Sequence, residues 1–232
     1  MLTVRKSEDR GRMQIDWLDS RHTFSFADYH DPAYMHFGAL RVINEDVIAG
    51  GGGFAPHPHR DMEIVTYILS GALAHKDSLG TGSTIRPGEI QRMSAGTGIV
   101  HSEFNASREE PVHLLQIWIM PARQGIAPSY EQKAIAPDSV ANKFARIAAP
   151  DPGANEVRLV QDAQIWAAKL DAGAEASHAL EPGRRAWLQI ARGSVEIDGT
   201  RLDQGDAAAI TDAAELRVRA AEAAEVLLFD LA

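Results

Sequence analysis

The sequence predicts an all-β fold made of two tandem β-barrels. Two observations support this prediction: short apolar or alternating segments follow one another along most of the chain, separated by Gly, Pro and Asp, and one sequence pattern occurs twice. The chain has 232 residues, of which 45% are hydrophobic, so it can bury one large core or two small ones.

The first half of the chain contains six segments rich in Val, Ile, Tyr and Trp that we interpret as strands. They are residues 39–48, 63–69, 72–78, 89–94, 98–104 and 112–120. Short strands at this spacing are typical of a sandwich or barrel.

A change of composition between Pro121 and Glu156 indicates a domain junction. This stretch holds prolines at positions 121, 128, 137, 150 and 152 and few apolar runs. We therefore expect a first domain over residues 1–133 and a second over residues 134–232.

The second domain resembles the first, which suggests a repeat. YILSGALAHKD followed by RPGEI resembles LQIARGSVEID followed by DQGDA, so that Gly71 corresponds to Gly193 and Gly88 to Gly205. Further strands are predicted at residues 164–171, 186–199 and 226–231. The Ala-rich stretch 212–225 has helical propensity, but the repeat favours a pair of strands there.

Composition excludes several classes of function. The net charge of -9 disfavours binding to nucleic acid or to anionic membranes, and the absence of Cys excludes disulfides, thiolate metal sites and thiol catalysis. The first residues lack the apolar core of a signal peptide, and no apolar run is long enough to cross a membrane. We expect a cytoplasmic protein, and a monomer, since two barrels in one chain can cover each other's faces.

Two short motifs carry the candidate chemistry: HPHRDME, which begins at His57, and HSEFN, which begins at His101. Residues i and i+2 of a strand point to the same side, so His57 with His59, and His101 with Glu103, form two pairs able to face one barrel interior. Imidazole and carboxylate suit first-row divalent metals. Alternatively, these are polar residues on the solvated face of antiparallel strands, but the joint occurrence of both pairs favours a metal site.

Other conspicuous residues receive structural interpretations. The run Gly50–Gly53 lacks the Gly-Lys-Ser/Thr of a phosphate loop, so we interpret it as a tight turn before the HPH strand. We interpret the aromatic segment HTFSFADYHDPAYMHF as core packing, in preference to the wall of a pocket for an aromatic ligand. The remaining histidines lack a partner at strand spacing and are not expected to be ligands: His22, His30, His36, His75, His113 and His178.

These motifs resemble those of a known family. Two cupin motifs are matched, the first by Gly51, His57, Pro58, His59, Glu63 and Gly71, and the second by Gly98, His101 and Asn105. Over nearly the whole chain, and most specifically over residues 17–120, the sequence is similar to the pirin family, in particular to its bacterial branch with quercetin 2,3-dioxygenase activity. The resemblance implies a bicupin, that is, two tandem cupin barrels of the double-stranded β-helix or jelly-roll type.

The resemblance also implies a ligand set. It carries the metal ligands onto His57, His59, His101 and Glu103, and makes Glu63 a residue near the site but not a ligand. In the second barrel, the repeat offsets place the corresponding positions near Ala179, Glu181, Val218 and Ala220. With His178 as the one imidazole nearby, we expect no metal in the second barrel.

By the same resemblance, the expected activity is a metal-dependent dioxygenase that cleaves flavonols such as quercetin and releases carbon monoxide. Its partners would be a small aromatic substrate and dioxygen, with Glu103 as the general base. Fe(II) is the first expectation for the metal, with Mn, Co, Ni, Cu or Zn compatible with the ligands. The alternatives are a metal-sensing and redox-sensing regulator that binds a transcription-related protein, and a metal-dependent isomerase or hydrolase.

Overall fold

A computed structural model describes all 232 residues, which form two compact units. The first unit comprises Gly11–Ala134 and Val157–Gln161, and the second comprises Met1–Arg10, Ile135–Glu156 and Asp162–Ala232. Nearly all regular structure is β-strand, as the sequence predicts, with one short α-helix, α1 (Pro137–Val140), and a 3-10 turn at Ser7–Asp9.

The strands are numbered along the chain. The first ten are β1 (Leu2–Arg5), β2 (Gly11–Ile15), β3 (Leu18–His22), β4 (Leu40–Ile48), β5 (Gly53–Ser70), β6 (Leu73–Asp77), β7 (Gly82–Ile85), β8 (Glu89–Asn105), β9 (Val112–Ile119) and β10 (Ser129–Ala134). The others are β11 (Ala145–Ala149), β12 (Val157–Arg158), β13 (Ala163–Leu170), β14 (Glu175–Ala179), β15 (Arg185–Arg192), β16 (Ser194–Ile197), β17 (Thr200–Asp203), β18 (Ala207–Ile210), β19 (Glu215–Ala220) and β20 (Ala224–Leu231).

The first unit is one antiparallel sheet in the order β2-β3-β4-β9-β5-β8-β6-β7, with β10 beside β8. The sheet curls around its own interior, because buried residues from six different strands meet in a single cluster. The cluster consists of Leu18, Ile48, Ile68, Leu73, Ile85, Val112 and Leu114.

The second unit has two sheets, in the orders β1-β18-β15-β20-β13-β11 and β14-β19-β16-β17. Their facing side chains fill the space between them with Ala, Val, Leu and Ile. This aliphatic interior includes residues such as Leu188 and Val226 from one sheet and Val195 and Val218 from the other.

The predicted repeat is visible in the turns. Gly71, between β5 and β6, has φ of 76°, and Gly193, between β15 and β16, has φ of 69°. A Cβ at these positions would lie 2.7 Å and 2.0 Å from the carbonyl oxygens of Pro111 and Ala223, so only Gly fits either turn. Gly88 and Gly205 share a φ of 84°.

The structure also settles the boundaries of several strands. The Ala-rich stretch forms β19 and the start of β20, which confirms the strand pair predicted there. Residues 89–94 and 98–104, predicted as two strands, belong to the single long strand β8.

The predicted domains were separated by a single boundary between residues 133 and 134. Two longer segments belong to the other unit than this boundary would give. Residues 1–10 lie in the second unit because β1 pairs with β18, and residues 157–161 lie in the first unit. The proline-rich stretch predicted as a junction also contributes β10 to the first unit, where that strand pairs with β8 over six residues. No helix is long enough and apolar enough to span a membrane.

Candidate metal centre

The interior of the first unit carries a polar layer between two apolar ones. Along β9 the inward residues are Val112 and Leu114, then Gln116, then Trp118. The register places Asn44 of β4 and Thr66 of β5 opposite Gln116. The corresponding interior of the second unit is aliphatic, so a polar interior is particular to the first unit.

Strands β5 and β8 bring the three predicted histidines together. His57 is the cross-strand partner of His101, and His59 is the partner of Ile99. The ring centroids of His57 and His101 are 4.4 Å apart, and His59 lies 4.8 Å from each of them. One nitrogen atom from each ring can be chosen so that all three lie within 4.8 Å of one another.

Glu103 is buried in the same interior. Its Oε2 atom accepts a hydrogen bond of 2.9 Å from Nε2 of Gln116, and its Oε1 atom has no partner. Glu103 falls within 4.8 Å of ligand atoms of His101 and His75, so His101 is common to both groups of potential ligands.

His75 is a buried residue of the site that the sequence analysis did not select. It is the cross-strand partner of Glu103, its ring centroid is 5.3 Å from that of His101, and its Nε2 atom is 3.0 Å from Oδ2 of Asp77. The spacing of His75 and Asp77, two residues apart on a short strand, was the signal available in the sequence. This pair contradicts the expectation that His75 lacks a partner at strand spacing.

Burial determines the protonation of these groups. It lowers the pKa of His59 to about 4 and that of His101 to about 2, with the charge of neighbouring His57 acting in the same direction. The imidazoles of His59 and His101 are therefore neutral, the form that binds metals. Burial also raises the pKa of Glu103 to about 7, and the negative charge of Asp46 acts in the same direction.

The unsatisfied atoms fit a cation. Both ring nitrogens of His101 and Oε1 of Glu103 are buried without a hydrogen-bond partner, an arrangement that costs folding free energy unless a ligand completes it. Neutral imidazole nitrogens and a carboxylate oxygen are donors that first-row divalent metals accept.

A cavity of about 80 Å³ opens beside these residues. It contacts His57, His59 and Glu103, and Phe26 closes one side by packing edge-on against Trp118 at 5.4 Å. Phe26 is thus a cavity wall, whereas Phe24, with 1% exposure, belongs to the core as predicted. Larger surface cavities, one of about 420 Å³, lie in the second unit and contact none of the predicted ligands.

Glu63, expected near the site, faces the other way. The β5–β8 register shifts between His59 and Asp61, where Asp61 has φ of 64°, and beyond it Ile64 faces the interior. Glu63 instead accepts a hydrogen bond from the backbone N–H of Val160. The bulge therefore reverses which residues of β5 point inward.

In the second unit, the positions corresponding to the ligands hold no imidazole. Val218 and Ala220 belong to the aliphatic core, and Ala179 is exposed. His178 is buried with its Nε2 atom 2.9 Å from Oδ2 of Asp230, a carboxylate that Arg184 also contacts.

Comparison with known proteins gives matches along both units. Residues 3–119 match the family model described as Pirin, and residues 146–231 match the model described as the quercetinase C-terminal cupin domain. A protein of Escherichia coli strain K12 named quercetin 2,3-dioxygenase is 46% identical over 231 residues, which is 100% of this chain and 99% of the relative.

Solved structures agree with these matches. The crystal structure of YhhW from Escherichia coli has a TM-score of 0.96 at 44% identity, covering 100% of this chain and 98% of the other. That of the bacterial pirin YhhW in complex with nickel(II), also from Escherichia coli, has a TM-score of 0.94 at 45% identity, covering 100% and 99%. The predicted fold of two cupin barrels is confirmed.

Proposed function

The chain belongs to the pirin family, and from this premise we propose that it is a metal-dependent dioxygenase that cleaves flavonols such as quercetin at a single centre in its first barrel. The observation that carries the proposal is the polar interior of the first unit. There the buried nitrogens of His101 and Oε1 of Glu103 lack partners, while aliphatic side chains fill the interior of the second unit.

The proposed ligands are His57, His59, His101 and Glu103. The proposed ion is Fe(II), in preference to Mn, Co, Ni, Cu or Zn. The nickel(II) complex of a relative that is 45% identical supports a divalent ion in general. When bound, such an ion would supply Lewis acidity that stabilises the oxyanion formed from the 3-hydroxyl group of a flavonol.

The side chains of the site have separate tasks in this reaction. Glu103 accepts the proton of the 3-hydroxyl group, a role that suits a buried carboxyl whose pKa is raised to about 7. Gln116 holds that carboxylate in place by a hydrogen bond, and Thr66 in turn donates a hydrogen bond to Gln116. The apolar side chains of Ile64 and Trp118 exclude water while dioxygen adds to the substrate ring, which opens and releases carbon monoxide.

The proposal is tested by measuring oxygen uptake and carbon monoxide release when the Fe(II)-reconstituted protein is mixed with quercetin. We expect His59→Ala to lose both metal and turnover, and Glu103→Gln to lose turnover more completely than it loses metal. The matched control is His178→Ala, which removes a buried histidine of the second unit and is expected to leave turnover intact. Equal losses of metal and turnover in Glu103→Gln would contradict the base assignment.

The size of the cavity favours a second candidate function. Small-molecule sites usually enclose about 300 to 1,000 Å³, well above the space beside the histidines. A cavity that stays closed would suit a regulator that responds to the oxidation state of its metal through a protein partner. Absence of oxygen uptake with every metal tried would favour this regulator over the dioxygenase.

A further inference from the structure

Two buried polar side chains on β4 have no role in the metal centre described above. Asn44 and Asp46 are each 4% exposed, and the Oδ1 atom of each has no hydrogen-bond partner. Both residues line the cavity that His57, His59 and Glu103 also line. Two unpaired acceptors in the wall of one cavity cost folding free energy unless a ligand donates to them.

The neighbouring strands leave these acceptors unsatisfied. Asn44 lies between His22 of β3 and Gln116 of β9, and neither of these side chains is hydrogen-bonded to its Oδ1 atom. Asp46 is hydrogen-bonded to Ser20, which leaves its Oδ1 atom unpaired. Because residues i and i+2 of a strand share a face, the two side chains form one acceptor surface.

The rest of the wall indicates what kind of molecule would fit against this surface. Apolar side chains complete the cavity, among them Leu18, Phe54, Ile64 and Trp118. An ionised carboxylate can only accept hydrogen bonds, and an amide oxygen likewise accepts. The combination suits a flat apolar molecule that carries hydroxyl donors.

We propose that Asn44 and Asp46 form an acceptor pair that binds hydroxyl groups of the substrate in addition to the oxygen atoms held by the metal. This inference rests on the proposed function and adds a determinant of specificity to it. The site then selects polyhydroxylated aromatic compounds over analogues with only the metal-binding oxygens, because such analogues leave the buried acceptors unpaired.

The test compares quercetin with 3-hydroxyflavone, which keeps the 3-hydroxyl and carbonyl groups and lacks the other hydroxyls. In the wild-type protein we expect kcat/KM for quercetin to exceed that for 3-hydroxyflavone by about 10- to 100-fold. Asn44→Leu and Asp46→Leu should each lower kcat/KM for quercetin about 10-fold and change that for 3-hydroxyflavone less than about 2-fold. The control is Val47→Leu, a change on the exposed side of the same strand.

Two further measurements are needed. One distinguishes an effect on substrate binding from an effect on turnover, and the other distinguishes a role in substrate recognition from a role in folding. Anaerobic titration of Zn(II)-loaded protein, followed by flavonol absorbance, gives the affinity for each compound without oxidation. The thermal midpoint of Asn44→Leu without ligand should not fall, since the substitution removes an unpaired buried acceptor. A structural role for Asn44 would lower it.

The outcomes distinguish the acceptor pair from the activity itself. If wild-type protein oxidises no flavonol but binds quercetin more tightly than 3-hydroxyflavone, and Asn44→Leu loses that preference, the dioxygenase proposal fails and the acceptor pair stands. If turnover is observed and both variants keep the wild-type preference in turnover and binding, the acceptor pair is overturned. Binding of neither compound overturns both.

Discussion

The side-chain amide of Gln116 donates a hydrogen bond of 2.9 Å to Oε2 of Glu103, and so links β9 to the carboxylate of β8. Thr66 of β5 donates in turn to Oε1 of Gln116 at 3.3 Å, which fixes the orientation of the amide. With Oε2 held in this way, Oε1 of Glu103 is left without a hydrogen-bond partner. Gln116 is therefore a positioning residue for Glu103.

Replacement of Gln116 by Met keeps the volume of the side chain and removes this donor. We expect the affinity for Zn(II) to fall by about 10- to 100-fold, as is usual when a group that orients a ligand is lost. Competition with a chromophoric chelator measures the change. Gln189→Met, at a buried amide of the second unit, is the control, and equal affinity in Gln116→Met and wild type would refute the positioning role.

The contrast between the two barrels predicts one metal ion per chain. His101→Ala should reduce the stoichiometry of bound metal to near zero, whereas His178→Ala should leave it at one, because His178 is engaged with Asp230. Metal analysis after gel filtration measures this. A stoichiometry of two in wild-type protein, or full retention in His101→Ala, would contradict the single centre.

The stability of the metal-free protein should depend on pH through Asp46. Burial raises the pKa of Asp46 from 3.8 to about 6, so this group stabilises the folded state fully only below pH 3.8, and that contribution is lost as the pH rises through about 6. Relative to wild type, Asp46→Asn should gain up to roughly 3 kcal/mol of unfolding free energy between pH 4 and pH 8. Urea denaturation at several pH values gives this difference.

The matched control for this pH dependence has the opposite sign. A hydrogen bond from Arg12 holds the pKa of Asp19 below its ordinary value, so Asp19 stabilises the fold at neutral pH and loses that contribution on acidification. Asp19→Asn should therefore lose stability relative to wild type as the pH rises. A flat difference curve for Asp46→Asn would show that Asp46 titrates normally in the folded protein.

Phe26 should control access to the cavity. Its ring packs against Trp118, whose ring lies 5.0 Å from that of His59, so the path to the histidines is closed on this side. Phe26→Ala should increase kcat/KM for quercetin several-fold and leave metal affinity unchanged, since the ring packs edge-on against His22 and Trp118, neither of which is a proposed ligand. Steady-state oxygen uptake measures the change, and an unaltered or lower kcat/KM would show that substrate enters elsewhere.

The sequence by itself determined the fold class and supplied the four proposed metal ligands. Alternating apolar segments predicted strands, and equivalent glycines such as Gly71 and Gly193 predicted two copies of one barrel. The spacing of His57 with His59, and of His101 with Glu103, could be interpreted directly because a strand alternates faces at every residue. These are local features, and local geometry is encoded in local sequence.

Only the tertiary structure decided which other residues meet this core. Asn44 and Gln116 join the site through a pairing between strands that are distant in sequence, and no local spacing marks them. The bulge at Asp61 turned Glu63 away from the interior, and β1 crossed to the second unit to pair with β18. The register of a strand, and the sheet that it joins, depend on the packing of the whole sheet. A shift of one residue would move every side chain of the strand to the opposite face.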